Sequence, residues 1–384
     1  MPSEPQRPES NPIRALQALG QSVWYDHIHR EMVRSGELAR LVEEDGLSGV
    51  TSNPTIFEKA MAAGQAYEQA MEALLEAGCR DPRELFFALA VEDVQAAADV
   101  LRPVHEASGG RDGFVSLEVS PSLAHDEEGT VAEAKRLFRR LGRPNVMIKV
   151  PGTLEGVRAF RRLTAAGVHV NVTLLFSVDR YRLVAEAWMA GLEDRMARGE
   201  DPGAVRSVAS FFVSRVDAAV DRFLRHRLGE AARREGLLGR TAIANAKMAY
   251  RHFLEWTGSE RWRRLEATGA APQRLLWAST GTKDPSLSDV HYLEALVGPH
   301  TVTTVPPSTY RAFKEHGRAA PTLTEGMAEA EAHLARIAKA GVDLAAVTDR
   351  LEEEGVDAFA RSFKALLRTL EDRMEQAAEE AVVG

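Results

Sequence analysis

A chain of 384 residues with 45% hydrophobic side chains can bury a large core, and nowhere does it approach the ~20 uninterrupted apolar residues needed to cross a bilayer. A net charge of −8 argues against a nucleic-acid footprint, though one local Arg or Lys would still suffice for a small anionic substrate. The single cysteine, Cys79, excludes disulfides within the chain and zinc sites with two or more cysteine ligands, and it fits a reducing cytoplasm.

The start, MPSEPQRPES, is polar and Pro-rich without an apolar stretch, which predicts a disordered arm over 1–12 and not a signal peptide. From there short apolar or β-branched runs alternate with longer stretches rich in Ala, Leu, Glu and Arg, and no fixed repeat of 20–50 residues is present. The runs predict strands at 22–26 (SVWYD), 49–53 (GVTSN), 114–119 (FVSLEV) and 146–150 (VMIKV). Four more follow at 168–175 (VHVNVTLL), 208–213 (VASFFV), 275–279 (LLWAS) and 300–305 (HTVTTV).

Asp81-Pro82 is a start signal for a helix over 84–105, with Pro in the first turn. Apolar residues at helical spacing, with charges opposite, predict helices over 178–198 and 216–235. The connections 54–113 and 214–274 are longer than one helix needs, so each is expected to hold extra helices. From Pro307 onward the pattern is helical. Its amphipathic stretches 325–341 and 357–379 want a surface to cover, so they are expected to pack on the rest and not to form a second domain. Eight strand–helix units in order predict one α/β domain over 13–384, a (β/α)8 barrel with helical insertions.

Reactive groups in such a barrel sit at the C-terminal ends of the strands. Those ends carry Asp26, then Asn53, Glu118, Lys149, Asn171 with Thr173, then Ser210, Phe212 and Arg215. The seventh leads into the loop Ser279–Lys283. Polar side chains inside apolar strands are costly unless paired. Lys149, within IKV, is the sharpest case. Removal from water favours its neutral amine, which can condense with a carbonyl. Glu118 on the next strand is placed to shuttle protons, and a plain Lys149–Glu118 ion pair is the alternative. Asp26 could move a hydroxyl proton as a carbon–carbon bond breaks, or cap the next helix. Asn53 and Asn171 suit sugar hydroxyls, because an amide both donates and accepts. Asn53-Pro54 also reads as a turn. Arg215 with Ser210 could hold a phosphate, aided by Gly281 and Lys283, unless Arg215 merely starts a surface helix. His27 and His29 lack a third spaced ligand, so no metal is expected. Walker, GxGxxG and GxSxG motifs are missing from the sequence.

The stretches NVMIKVPGT around Lys149, GVTSNPTIFEKA and VNVTLLFS together resemble transaldolases. SFFVSR and WASTGTKDP look like the longer bacterial branch of that family. The resemblance covers about 26–304 and implies a class I aldolase type of barrel without metal or cofactor. It implies that Lys149 is the Schiff-base lysine and Glu118 its proton shuttle through a water, with Asp26 the acid/base and Thr173 holding that water. Asn53 and Asn171 would bind substrate hydroxyls, and Ser210 and Arg215 the phosphate. Many members place an Arg after the seventh strand. Here the loop reads Ser279-Thr280-Gly281, and Lys283 is the candidate in its place.

The reaction implied is transfer of a dihydroxyacetone unit from sedoheptulose 7-phosphate to glyceraldehyde 3-phosphate, in the pentose phosphate pathway. Fructose 6-phosphate and erythrose 4-phosphate are the products. The rival is a lyase that releases dihydroxyacetone. Such relatives tend to carry Gln where this chain has Glu118 and Tyr where it has Phe212. The expected partners are sugar phosphates, with neither nucleic acid nor membrane, in a cytoplasmic monomer or homodimer.

Overall fold

A computed structural model describes residues 11–62 and 66–383. The arm expected over 1–12 lies outside the described residues as far as residue 10. Asn11 already caps a helix, Pro12–Ala18, by accepting from the Ile13 amide.

Eight strands follow one another around a closed barrel. They are β1 (Gln21–Tyr25), β2 (Gly49–Val50), β3 (Phe114–Glu118) and β4 (Val146–Pro151), then β5 (Val170–Leu175), β6 (Ser207–Phe212), β7 (Arg274–Ala278) and β8 (Thr301–Val305). Neighbours are parallel throughout, and β8 closes the ring by pairing Gln21–Tyr25 with Thr301–Val305. The eight runs picked out from the sequence are these strands. Each is buried along its whole length, because helices cover the outside and side chains fill the inside.

The predicted strand over 49–53 stops at Val50. Its last three residues turn instead to side-chain bonds. Thr51 bonds to Asp26, Ser52 to the Ser116 carbonyl, and Asn53 accepts from the Ile56 amide. β5 carries a register shift between Val172 and Leu175, where Leu174 takes φ 60°. A bulge of this kind re-aims side chains at a barrel rim.

Both long connections hold several helices. Pro54–Ala62, Glu68–Glu76 and Pro82–Ala107 lie between β2 and β3, and Asp81 caps the third through the Arg83 amide at 2.9 Å. Between β6 and β7 lie Ser214–Leu228, Glu230–Arg234, Thr241–Thr257 and Glu260–Glu266. The single helix expected over 216–235 is broken at Gly229, which has φ 54° and ψ −133°, a conformation that only glycine adopts without strain.

After β8 come Pro307–His316, Met327–Lys339 and a 40-residue helix, Leu344–Val383. The expected helix over 357–379 is thus the second half of a longer one. Val356, Phe359, Phe363, Leu366 and Leu370 on that helix belong to the same apolar core as the barrel.

Candidate active site

The strand ends open into a cavity of about 450 Å³. Asp26, Asn53, Lys149, Ser210, Phe212, Arg215 and Lys283 all line it. These residues lie up to 257 positions apart in the chain (283 − 26) and meet because every strand runs the same way around the ring. A larger groove of about 790 Å³ lies elsewhere, against Arg180, Asn245 and Thr348, and carries none of the strand-end residues.

Strand register sets the centre of the site. Glu118 pairs with Lys149, and Lys149 with Asn171, which lines up three polar side chains on adjacent strands. Lys149 is 5% exposed. Its Nζ donates to the Ser52 carbonyl at 3.0 Å and lies 3.7 Å from Glu118 Oε2. The ion pair foreseen as the plain alternative therefore exists, but it is long. Glu118 Oε2 is buried and has no hydrogen-bond partner among the described residues. Burial pushes its carboxyl up to about 7, against the pull of Lys149, and the nearby Asp26 adds to the rise. A carboxyl poised near neutrality next to an amine can both give and take a proton.

Under this pair lies a polar floor. The Asn171 amide donates to Ser116 Oγ at 3.2 Å, and Ser210 Oγ donates to Asn171 Oδ1 at 2.6 Å. Asn171 is wholly buried, so both ends of its amide are engaged and Ser210 is the member of the pair at the cavity wall. Thr173 Oγ1, at the bulge of β5, is buried and has no hydrogen-bond partner among the described residues.

Asp26 sits across the cavity. Its Oδ1 accepts from Thr51 Oγ1 at 2.7 Å, and that hydroxyl lies 2.6 Å from Thr304 Oγ1. It does not cap the next helix, as the alternative reading had it. That helix, Arg30–Arg34, is capped by His29. Asn53 does fulfil its structural alternative, since Oδ1 accepts from the Ile56 amide at 3.0 Å. Its amide nitrogen is left for the cavity it lines.

Arg215 starts the helix Ser214–Leu228, whose N-terminal end faces the barrel mouth because it follows β6 directly. Its guanidinium lies over the Phe212 ring, 5.2 Å from the centroid. Burial works against its charge, while Asp26 and Glu354 favour it. Among the described residues it makes no ion pair within 4 Å. A half-buried guanidinium without a carboxylate, beside a helix N-terminus, is a place for an anion. Lys283 reaches the same cavity from the loop after β7, where Ser279 takes φ 54°.

Several lining residues were not singled out from the sequence. Thr51, Lys59 and Thr304 belong to the strand ends and to the helix after β2, and alternation alone could have suggested the two threonines. Phe359 comes from the C-terminal helix and lies with its ring centroid 5.8 Å from Lys149 Nζ. No local signal marks it. His27 lines the cavity, with burial and His29 lowering its pKa. Among the described residues no cluster of His, Cys, Asp and Glu is arranged to hold a metal.

Residues 23–370 match the family model described as Transaldolase/Fructose-6-phosphate aldolase. The chain is 44% identical to Transaldolase 2 of Nostoc punctiforme, over 95% of this chain and 98% of that protein. It is 46% identical to a transaldolase of Parafrankia sp., covering 96% and 100% of the two chains. It is 47% identical to one of Thermobifida fusca, covering 95% and 98%.

Proposed function

The chain belongs to the transaldolase/fructose-6-phosphate aldolase family, and we propose that its cavity performs the transaldolase reaction through a Schiff base on Lys149. The observation that carries this is Lys149 itself, an amine buried in an apolar strand within 3.7 Å of a carboxylate and facing an anion-ready cavity.

The donor is sedoheptulose 7-phosphate, held by its phosphate on Arg215 with Ser210 and Lys283, and by its hydroxyls on Asn53, while Asn171, engaged at both ends of its amide, holds Ser210 at the cavity wall. The Lys149 amine adds to the C2 carbonyl. Glu118 supplies and removes the protons that turn the carbinolamine into an iminium and a water. Thr173 and Glu118 both have free hydrogen-bonding capacity, which suits them to hold that water.

Asp26 takes the proton from the C4 hydroxyl, and the C3–C4 bonding electrons flow into the iminium. Erythrose 4-phosphate leaves, and a dihydroxyacetone enamine stays on Lys149. The enamine carbon then attacks C1 of glyceraldehyde 3-phosphate, and Asp26 returns its proton to the new alkoxide. Hydrolysis of the resulting iminium releases fructose 6-phosphate and the free amine. The lysine is the electron sink, so the chemistry calls for neither metal nor organic cofactor.

Transfer is favoured over simple release of dihydroxyacetone by Glu118 and Phe212, the two positions at which lyase-like relatives are expected to differ. We place the enzyme in the cytoplasm as a monomer or homodimer. No helix among the described residues is long and apolar enough to cross a membrane. A steady-state assay with fructose 6-phosphate and erythrose 4-phosphate tests the reading, together with borohydride reduction. Turnover that depends on both substrates, with a reduced three-carbon adduct on the Lys149 peptide, is expected. An adduct on another lysine would sink it.

A further inference from the structure

Phe359 reaches the site from outside the barrel. It lies on the helix Leu344–Val383, lines the catalytic cavity and is 5% exposed. Its ring faces Lys149 Nζ at 5.8 Å. The helix is fastened to the catalytic face on both sides of it. Ser362 Oγ bonds Thr55 Oγ1 at 2.8 Å, in the helix that follows β2. Phe363 packs edge-on against Phe86 at 5.3 Å and shares a small pocket with Glu118.

On the other side, Gly355 lies against the β5 bulge, where a Cβ would meet Leu174 Cδ2 at 3.0 Å. One turn back, Glu352 pairs at 3.4 Å with Arg180, which donates to the Gly152 carbonyl after β4. These contacts hold the Phe359 ring in one place relative to the lysine, as a fixed wall.

We propose that Phe359 is a specificity-determining residue that closes the amine side of the cavity to bulk water, so that the enamine on Lys149 meets an aldehyde instead of being hydrolysed. This rests on the Schiff-base reading above. Hydrolysis needs a proton at the enamine carbon, giving an iminium. Water must then add at C2, and the carbinolamine must expel the lysine amine as dihydroxyacetone departs. Transfer needs the acceptor carbonyl at that carbon before a proton arrives there. An aromatic ring has no group to hold a water, and it fills the space from which one would approach. Excluding water from a reactive intermediate is a general way to suppress such side reactions.

The test uses the full chain as wild type, Phe359→Ala, Phe359→Leu and Phe359→Gln. The quantity read is dihydroxyacetone released from fructose 6-phosphate per borohydride-trappable Schiff base, with and without erythrose 4-phosphate. Phe359→Ala should raise acceptor-free release roughly ten-fold, and Phe359→Leu, which keeps an apolar wall, by less than about three-fold. Phe359→Gln has similar reach but can hold a water, so it should also raise release. It decides the matter if the alanine variant does not fold. Unchanged release in Phe359→Gln, and in a folded Phe359→Ala, with Lys149 still trapped in both, would overturn the inference. Wild type with no adduct on Lys149 would instead overturn the Schiff-base reading beneath it.

Discussion

At the scale of single residues, the site is built from groups whose ordinary surroundings have been removed. Lys149 and Glu118 face each other in a nearly dry layer of the barrel, and burial pushes the Glu118 carboxyl up to about 7. The pH profile of kcat/KM should therefore carry a limb with an apparent pKa near 7. Glu118→Gln should erase that limb and lower the rate about 10²- to 10⁴-fold, the range for losing a general acid/base. A limb that persists in the variant would assign it to another group, with His27 next in line. Arg215 should act on binding. Loss of a charged hydrogen bond costs about 1.5–3 kcal/mol, so Arg215→Ala should raise KM for phosphorylated donors roughly ten- to a hundred-fold. Adduct formation on Lys149 at saturating substrate should survive, and an unchanged KM would move the phosphate to Lys283 or Lys59. Phe212 packs against Phe176, with ring centroids 5.1 Å apart, and brings no hydroxyl to the cavity. Phe212→Tyr should increase dihydroxyacetone release without acceptor, because a phenol there can orient water or a proton. Equal release per Schiff base in the two proteins would reduce Phe212 to packing.

At the scale of elements, the strands carry the chemistry and the C-terminal helix governs its surroundings. Glu352 on that helix is mostly buried beside Arg180. Burial raises its pKa to about 7, with Arg180 opposing and Asp349 adding to the rise. A carboxyl raised in the folded state stabilises the fold fully below its unfolded value near 4.5, and that contribution fades as pH climbs through 7. Glu352→Gln removes this dependence. Relative to wild type it should gain stability between pH 5.5 and 8, on the order of 1 kcal/mol after discounting for partial exposure. Thermal melts of both proteins at the two pH values read this directly. A variant that loses ground as pH rises would mean that the Arg180 ion pair outweighs desolvation.

For the whole molecule, the question is whether the C-terminal helix is an appendage or part of the core. Leu366 and Leu370 are fully buried in the same cluster as the strands. Leu366→Ala should cost about 2–5 kcal/mol and lower the melting point of one cooperative transition. A separate early transition for the helix, with the barrel unmoved, would contradict this. The sequence by itself determined the eight strands and their order, and it marked Lys149 as the candidate centre. Strand signals are local runs, and a parallel barrel leaves polar residues conspicuous at strand ends, so Asp26, Glu118, Lys149 and Arg215 could be read before any fold was known. The same locality hid other features. Asn53 reads equally as a ligand or a turn residue, and only the Ile56 amide at 3.0 Å shows that one end of its side chain is tied to the start of the next helix. Gly229 breaks a helix that periodicity had drawn as continuous. Phe359 looks like any apolar residue on an amphipathic helix. Tertiary structure alone decided that it covers Lys149, 210 positions earlier in the chain (359 − 149), because a long helix laid across a barrel mouth is set by packing that no local spacing records.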